Sequence, residues 1–342
     1  METVGRLQRT MEAHRSISMS WKRAIALSVL LLVPIASAVR AQAYPSGPVK
    51  VVIPYPAGAG VDLALRQLAP EVSKSLGQPV VVDNRPGAGA IVGMEFVAKA
   101  APDGYTIGIA DAGPLAINPA TYRKLPYDPV NDFAPVILIA TLPTFLAVHP
   151  NLGVHSVKEF VALAKQKPGA ISYASGGKGT SSHLAMELLK SKAGIDLLHV
   201  PYKGTAPALA GVLSGDPSVL FGNMLSTKPY MESGRLRVLA VATPTRSQAA
   251  PQIPTVAEAG VAGFEYTNWF GVVAPASTPP AVIERLAQAF RQALEQPEIR
   301  RRLLTEGGME AAGGTSAAFA SLIRKEIAMY SDLVKQSGIQ PE

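Results

Sequence analysis

Short apolar runs alternate along the chain with stretches in which apolar residues recur every three or four positions. The runs at 49–53, 80–82, 105–110, 171–174, 197–200, 219–221 and 238–241 predict buried strands. Helical periodicity fills 62–76, 93–100, 156–167, 181–193, 206–213 and 225–233 between them. In the first of these, Leu65, Leu68, Ala69 and Val72 share one face, and Gly77 follows as a stop. Ser156 with Glu159 three residues on predicts a capping box. The C-terminal part reads as three helices, 280–294, 298–306 and 317–336, the first opened by a proline that suits a first helical turn. Such alternation predicts an α/β fold of mostly parallel sheets flanked by helices on both faces.

Two stretches break the rhythm. Residues 133–149 hold two apolar runs split by Pro143, and 265–274 place Tyr266, Trp269 and Phe270 ahead of another run. Both are expected to be strands that cross between two lobes. The chain then divides into lobe one, 44–142 plus 268–342, and lobe two, 143–267. No internal repeat or low-complexity linker interrupts it.

The N-terminus has a different pattern. Lys22 and Arg23 precede an uncharged apolar stretch, 24–39, which is followed by Ala41-Gln42-Ala43. A basic region, an apolar core and an A-x-A site in that order predict a cleavable secretory signal over 1–43. The apolar stretch contains Pro34 and falls short of the roughly 20 residues of a bilayer span. Met11 and Met19 are alternative starts to Met1. The expected compartment is the periplasm.

Composition then narrows the function. With 48% hydrophobic and 17% charged residues the chain is not a disordered one. The absence of cysteine excludes disulfides, Cys-based metal sites and a thiol nucleophile. The formal charge of +7 invites a polyanion, but Arg6, Arg9, Arg15, Lys22, Arg23 and Arg40 against Glu2 and Glu12 place +4 of it in the first 43 residues. The rest is scattered apart from Arg300-Arg301-Arg302, so no basic stripe for nucleic acid exists.

Candidate chemistry lies in glycine-rich turns between strands and helices. The turn Tyr55-Pro56-Ala57-Gly58-Ala59-Gly60-Val61-Asp62 opens the first helix, and Ser175-Gly176-Gly177-Lys178-Gly179-Thr180-Ser181-Ser182-His183 opens the one at 181. Small residues admit an anion to the backbone, and free N–H groups with the positive end of the helix dipole receive it. The second turn fails the Walker A spacing. A third, Gly87, Gly89 and Gly93, is a weak dinucleotide signal and implies no nicotinamide cofactor. No G-x-S-x-G elbow or H-x-x-x-H pair is present, so neither a catalytic nor a metal site is expected. An exported hydrolase would need Ser175 or Ser181 beside His183 with an acid partner. Binding without turnover is the leading reading, with no cofactor.

Seven segments carry a resemblance. They are Ile53-Pro54-Tyr55-Pro56-Ala57-Gly58, Asp83-Asn84-Arg85-Pro86-Gly87-Ala88-Gly89, Ala101-Pro102-Asp103-Gly104-Tyr105-Thr106, Leu125-Pro126-Tyr127-Asp128-Pro129, residues 173–184, Val200-Pro201-Tyr202-Lys203-Gly204 and Ile253-Pro254-Thr255-Val256-Ala257-Glu258. In this order they resemble the Bug (TctC-type) periplasmic solute-binding proteins of tripartite tricarboxylate transporters. The resemblance implies a two-lobed type II "Venus flytrap" that captures a small organic carboxylate for a membrane transporter, as a monomer. A ligand-sensing partner of a signalling receptor is the alternative role for the same cleft. The implied ligand residues are Tyr55, Ala57, Gly58, Ala59, Gly60 and Asp62 in lobe one, and Ser175, Gly177, Gly179, Thr180, Ser181 and Asn223 in lobe two, acting largely through backbone N–H groups. Two departures mark this chain: Ala59-Gly60-Val61-Asp62 stands where the family commonly has Gly-Gly-Thr-Asp, and Asn223 where it more often has aspartate.

Overall fold

The alternation produces eleven strands and ten α-helices among the described residues, 44–341 of a computed structural model. The leader expected over 1–43 lies outside them. In chain order the elements begin β1 (Val49–Ile53), α1 (Gly60–Leu76), β2 (Val80–Asn84), α2 (Ile91–Ala98), β3 (Thr106–Asp111), α3 (Asn118–Thr121), β4 (Phe133–Leu142) and β5 (Thr144–Val148). They continue with α4 (Val157–Gln166), β6 (Ser172–Ser175), α5 (Ser181–Ala193), β7 (Leu198–Pro201), α6 (Thr205–Ser214), β8 (Val219–Asn223), α7 (Met224–Glu232) and β9 (Arg237–Val241). The last are β10 (Asn268–Pro275), α8 (Pro280–Glu295), α9 (Pro297–Gly307), β11 (Glu310–Gly313) and α10 (Ser316–Ser337).

The strands form two sheets, ordered β11-β4-β10-β3-β1-β2 and β7-β6-β8-β5-β9. Strands linked by helices pair in parallel: β1 with β2 and β3, and β6 with β7 and β8. The crossing strands β4, β5 and β10 pair antiparallel with their neighbours, as does β11. The physical reason is direction of travel. Each crossing strand enters or leaves a sheet without a returning helix, so it cannot match the βαβ strands. The parallel character expected from the alternation thus holds for the βαβ units, and the sheets as wholes are mixed.

Burial follows the pattern. Val49, Val51, Ile53, Leu65, Leu68, Ile107 and Ile109 are fully buried between the first sheet and its helices α1 and α8. A second core runs from Phe160, Tyr173 and Phe221 in lobe two through Phe264 and Trp269 to Phe319 and Tyr330 on α10. One apolar cluster therefore passes through the crossing strands. Ser156 Oγ accepts from Glu159 N–H as the capping box requires, while the Glu159 carboxylate reaches back to His155 N–H at 2.6 Å. The arginine run is a solvated face: Arg301 pairs with Glu298, and Arg302 with Glu306.

The third glycine turn serves packing. A Cβ on Gly93 would stand 2.7 Å from Pro54 Cβ and 2.9 Å from the Arg85 carbonyl oxygen. Glycine here lets α2 lie against the start of the lobe-one turn. Two segments carry no signal of their own in the sequence: α3, where Pro119 masks a short helix, and β11, whose Glu-Ala-Ala-Gly has little β propensity and is held by its pairing with β4.

Candidate functional site

Both glycine turns sit at the carboxyl ends of parallel strands, where open α/β sheets place their ligands. In lobe one the turn joins β1 to α1. Pro56, Ala57, Gly58 and Gly60 are exposed, and Gly58 adopts φ +83°. Ala59 occupies the N-cap of α1 and offers no capping side chain. Among the described residues no acceptor reaches the N–H groups of Gly60, Val61 or Asp62.

Asp62 serves this turn from behind. Its carboxylate is buried and accepts from Gly58 N–H at 2.8 Å, Arg66 Nε at 3.0 Å and Asn84 Nδ2 at 3.0 Å. Burial pushes its carboxyl up, but the donors Arg66, Gly58 and Asn84 outweigh that and hold it below the ordinary carboxylate value. Asn84 also donates to the Tyr55 carbonyl at 3.1 Å, and the Tyr55 hydroxyl donates to Asp111 Oδ2 at 2.8 Å. Asp111, at the end of β3, further accepts from Gly113 N–H at 2.9 Å; burial pushes its carboxyl up. The lobe-one turn is thus clamped at both ends, with its middle left to solvent.

In lobe two the turn joins β6 to α5, with Gly177 at φ +127° and Gly179 at φ +74°. Ser175 is buried; its Oγ lies 2.6 Å from His199 Nε2 on β7 and accepts from Gly177 N–H at 3.1 Å. Gly176 N–H donates to Ser182 Oγ, Thr180 Oγ1 to the Gly177 carbonyl, and Gly179 N–H to His183 Nδ1 at 3.0 Å. The N–H groups of Ser181, Ser182 and His183 meet no acceptor among the described residues. Asn223 is exposed at the end of β8. Its Oδ1 caps α7 by accepting from Ser226 N–H at 2.9 Å.

Two close approaches join the lobes near these turns. A methyl group on Gly179 would lie 3.7 Å from Thr121 Cγ2 on α3 of lobe one. One on Gly60 would meet Met309 at 3.3 Å, and one on the adjoining Gly308 would meet Leu225, two residues past Asn223, at 3.0 Å. Tyr266, just ahead of β10, donates to the Ser181 carbonyl at 2.8 Å and so ties the crossing segment to the start of α5. A cavity of about 750 Å³ opens between Asn118, Thr121 and Tyr122 of lobe one and Lys178, Thr180 and His183 of lobe two. Of the expected ligand residues it takes in Gly179 and Thr180, and the lobe-one turn is not part of its wall.

Ser175 beside His199 is the pair a hydrolase would need. Ser175 is only 1% exposed, and no carboxylate reaches His199 among the described residues. Sequence reasoning singled out neither His199 nor Asp111. Asn84 lay within a quoted motif without a role. His199 was findable only through register, since β7 pairs with β6 as Tyr173↔His199.

Near the crossing segment, Trp269 Nε1–H donates to Glu326 Oε2 on α10 at 2.7 Å. Burial pushes the Glu326 carboxyl up to about 7, against the opposing pull of Trp269 and Lys325. A raised folded value means the stabilisation is fully present below the unfolded value near 4.5 and is lost as pH rises through about 7. Glu326→Gln keeps the acceptor for Trp269 and cannot ionise. The variant is expected to be more stable than the parent at pH 8 and to match it at pH 4.5. Melting temperature against pH checks this.

Comparisons with known proteins fit the geometry. Residues 64–339 match the model of the tripartite tricarboxylate transporter family receptor, TctC. Protein BugT of Bordetella pertussis is 33% identical over 89% of this chain and 93% of its own length. The R. palustris protein Rpa4515 with adipate superposes with a TM-score of 0.72 at 36% identity, over 87% of this chain and 100% of that one. MatC from Rhodopseudomonas palustris with bound malate does so at 0.68 and 31%, over 85% of this chain and 100% of that one. With its two α/β lobes and a matched region that runs through both, this chain belongs to the TctC family of tripartite tricarboxylate transporter receptors.

Proposed function

We propose that the protein captures a small organic carboxylate between its lobes and delivers it to a membrane transporter of the tripartite tricarboxylate type. The observation that carries this reading is the pair of helix starts. Three N–H groups at α1 and three at α5 lack protein acceptors among the described residues, each behind a glycine turn at the end of a parallel strand. Charge-assisted hydrogen bonds from fixed backbone donors suit a carboxylate, and they cost little ordering entropy. The adipate and malate held by two relatives of the same fold support the ligand class.

In this reading Ala57, Gly58, Ala59 and Gly60 present lobe one to the ligand. Gly177, Gly179, Thr180, Ser181 and the Asn223 amide present lobe two. Tyr55, Asp62 and Ser175 act one step back, holding the turns in shape through Asp111, Gly58 and His199. A ligand gripped from both sides favours the closed arrangement and shifts the population toward it. No helix among the described residues is long and apolar enough to cross a membrane, which suits a protein released into the periplasm after cleavage at 43.

A thermal-shift panel of mono-, di- and tricarboxylates is the direct test. A true ligand at about 100 times its Kd adds roughly 2.7 kcal/mol of stability. The melting temperature is expected to rise with some of these acids and not with amines or neutral sugars of equal size. A panel in which no carboxylate raises it would overturn the reading.

A further inference from the structure

The two glycine N–H groups that shape the lobe-two turn point inward, to side chains. Gly177 donates to Ser175 Oγ, and Gly179 donates to His183 Nδ1. Ser175 Oγ in turn touches His199 Nε2. The two imidazoles stack with centroids 4.0 Å apart and planes 13° apart, and Tyr173 extends the stack at 4.8 Å from His199. We propose that the stacked His183–His199 pair is the positioning device of the lobe-two turn. It holds the Gly177 and Gly179 N–H groups inward, leaves the N–H groups at the start of α5 for the ligand, and works only while His183 Nδ1 carries no proton. Its consequence for affinity rests on the carboxylate reading above; the loop geometry does not.

Neutrality follows from the chemistry. Nδ1 accepts the Gly179 N–H only when it carries no proton; an imidazolium would set donor against donor. Two stacked imidazolium rings would also repel. The surroundings favour the neutral pair. Burial acts first in pushing both rings down, His199 to about 4, and Lys178 in the turn and Lys190 on α5 add to it. Glu187 on α5 opposes them, 3.9 Å from His183 Nε2, but its Oε1 already accepts from the Tyr173 hydroxyl at 2.6 Å and from Lys190 at 3.0 Å. Tyr122, just past α3, and Asp196, ahead of β7, face the same cavity. A depressed folded value means the arrangement is intact above the ordinary histidine value near 6.5 and is lost as pH falls toward about 4. The lobe-two grip therefore weakens on acidification, independently of the ligand's own charge.

Amide exchange followed by NMR on the unliganded protein tests this. The Gly179 amide is expected to stay protected from neutral pH down to about 6.5 and to lose protection below it, after correction for intrinsic exchange. His183→Leu removes the acceptor and is expected to lower Gly179 protection about five- to tenfold at neutral pH, the worth of one hydrogen bond. The double variant His183→Asn, His199→Gln replaces Nδ1 and Nε2 with amide oxygens that do not titrate. It is expected to keep the protection and show a flat pH profile, and it decides the matter should His183→Leu not fold. Unchanged Gly179 protection in His183→Leu, or a persisting acid step in the double variant, overturns the proposal. Calorimetry with malate and adipate forms a second arm, in which His183→Leu loses affinity by a similar factor and the double variant recovers it. Should neither acid bind the parent protein, the affinity arm is run with the acid that raises the melting temperature in the panel; should none do so, the carboxylate reading fails while the amide profile still decides the role of the histidines.

Discussion

Replacing Gly179 with leucine is expected to weaken carboxylate binding about 100-fold while leaving the protein folded. Gly179 sits at φ +74°, and a side chain there grows toward Thr121 of lobe one, whose Cγ2 would lie 3.7 Å from the new Cβ. The left-handed backbone costs a non-glycine residue roughly 1–2 kcal/mol, enough to rotate the peptide. Rotation misdirects the N–H groups at the start of α5, and each charge-assisted hydrogen bond is worth about 1.5–3 kcal/mol. Loss of one or two such bonds gives the 100-fold figure. Gly194→Leu is the matched control. Gly194 has φ +61°, caps the far end of α5 and has no heavy atom within 4 Å of a Cβ, so it carries comparable backbone strain without touching the cleft. Calorimetry should show lost affinity in the first variant and unchanged affinity in the second, with similar melting temperatures for both. Equal affinity in the two would remove the lobe-two turn from the site.

Gly271→Val is expected to produce the largest loss of stability. Gly271 lies in the middle of β10, between β3 and β4, with α10 packed above it. A Cβ there would stand 2.7 Å from the Ile137 carbonyl oxygen and closer still to the Phe319 ring. Phe319 is 1% exposed and stacks edge-on against Trp269, so its ring has no room to retreat. Overpacking of this kind costs about 3 kcal/mol, or roughly 5 °C in a protein of this size. Val272→Ala, the next residue, removes volume and is expected to cost less. A thermal scan of the two variants distinguishes overpacking at Gly271 from general sensitivity of the strand.

Much of this architecture was legible in the residues because periodicity reports burial directly. The runs at 49–53 and 219–221 and the helical face of 62–76 emerge as β1, β8 and α1 within a residue or two at most ends. Pro143 correctly marked the break between β4 and β5. Less legible were features fixed by partners distant in sequence. β11 has no strand signature of its own, and β4 supplies one. The two glycine turns could be read, since glycine before a helix start is a local signal. The directions of Asp62 and Ser175 could not, because they depend on Asn84 and Arg66 in one lobe and on His199 in the other. His183 shows no partner in the sequence because His199 lies on a strand, 16 residues away in sequence and 4.0 Å away in space.

Titration of the purified protein with malate and with adipate in a calorimeter tests the central claim most directly. The account predicts saturable binding of one carboxylate per chain for at least one acid of this class, weakened about 100-fold by Gly179→Leu and retained by Gly194→Leu. Absence of heat and of any thermal shift across the whole carboxylate panel, or binding that survives Gly179→Leu unchanged, would contradict it.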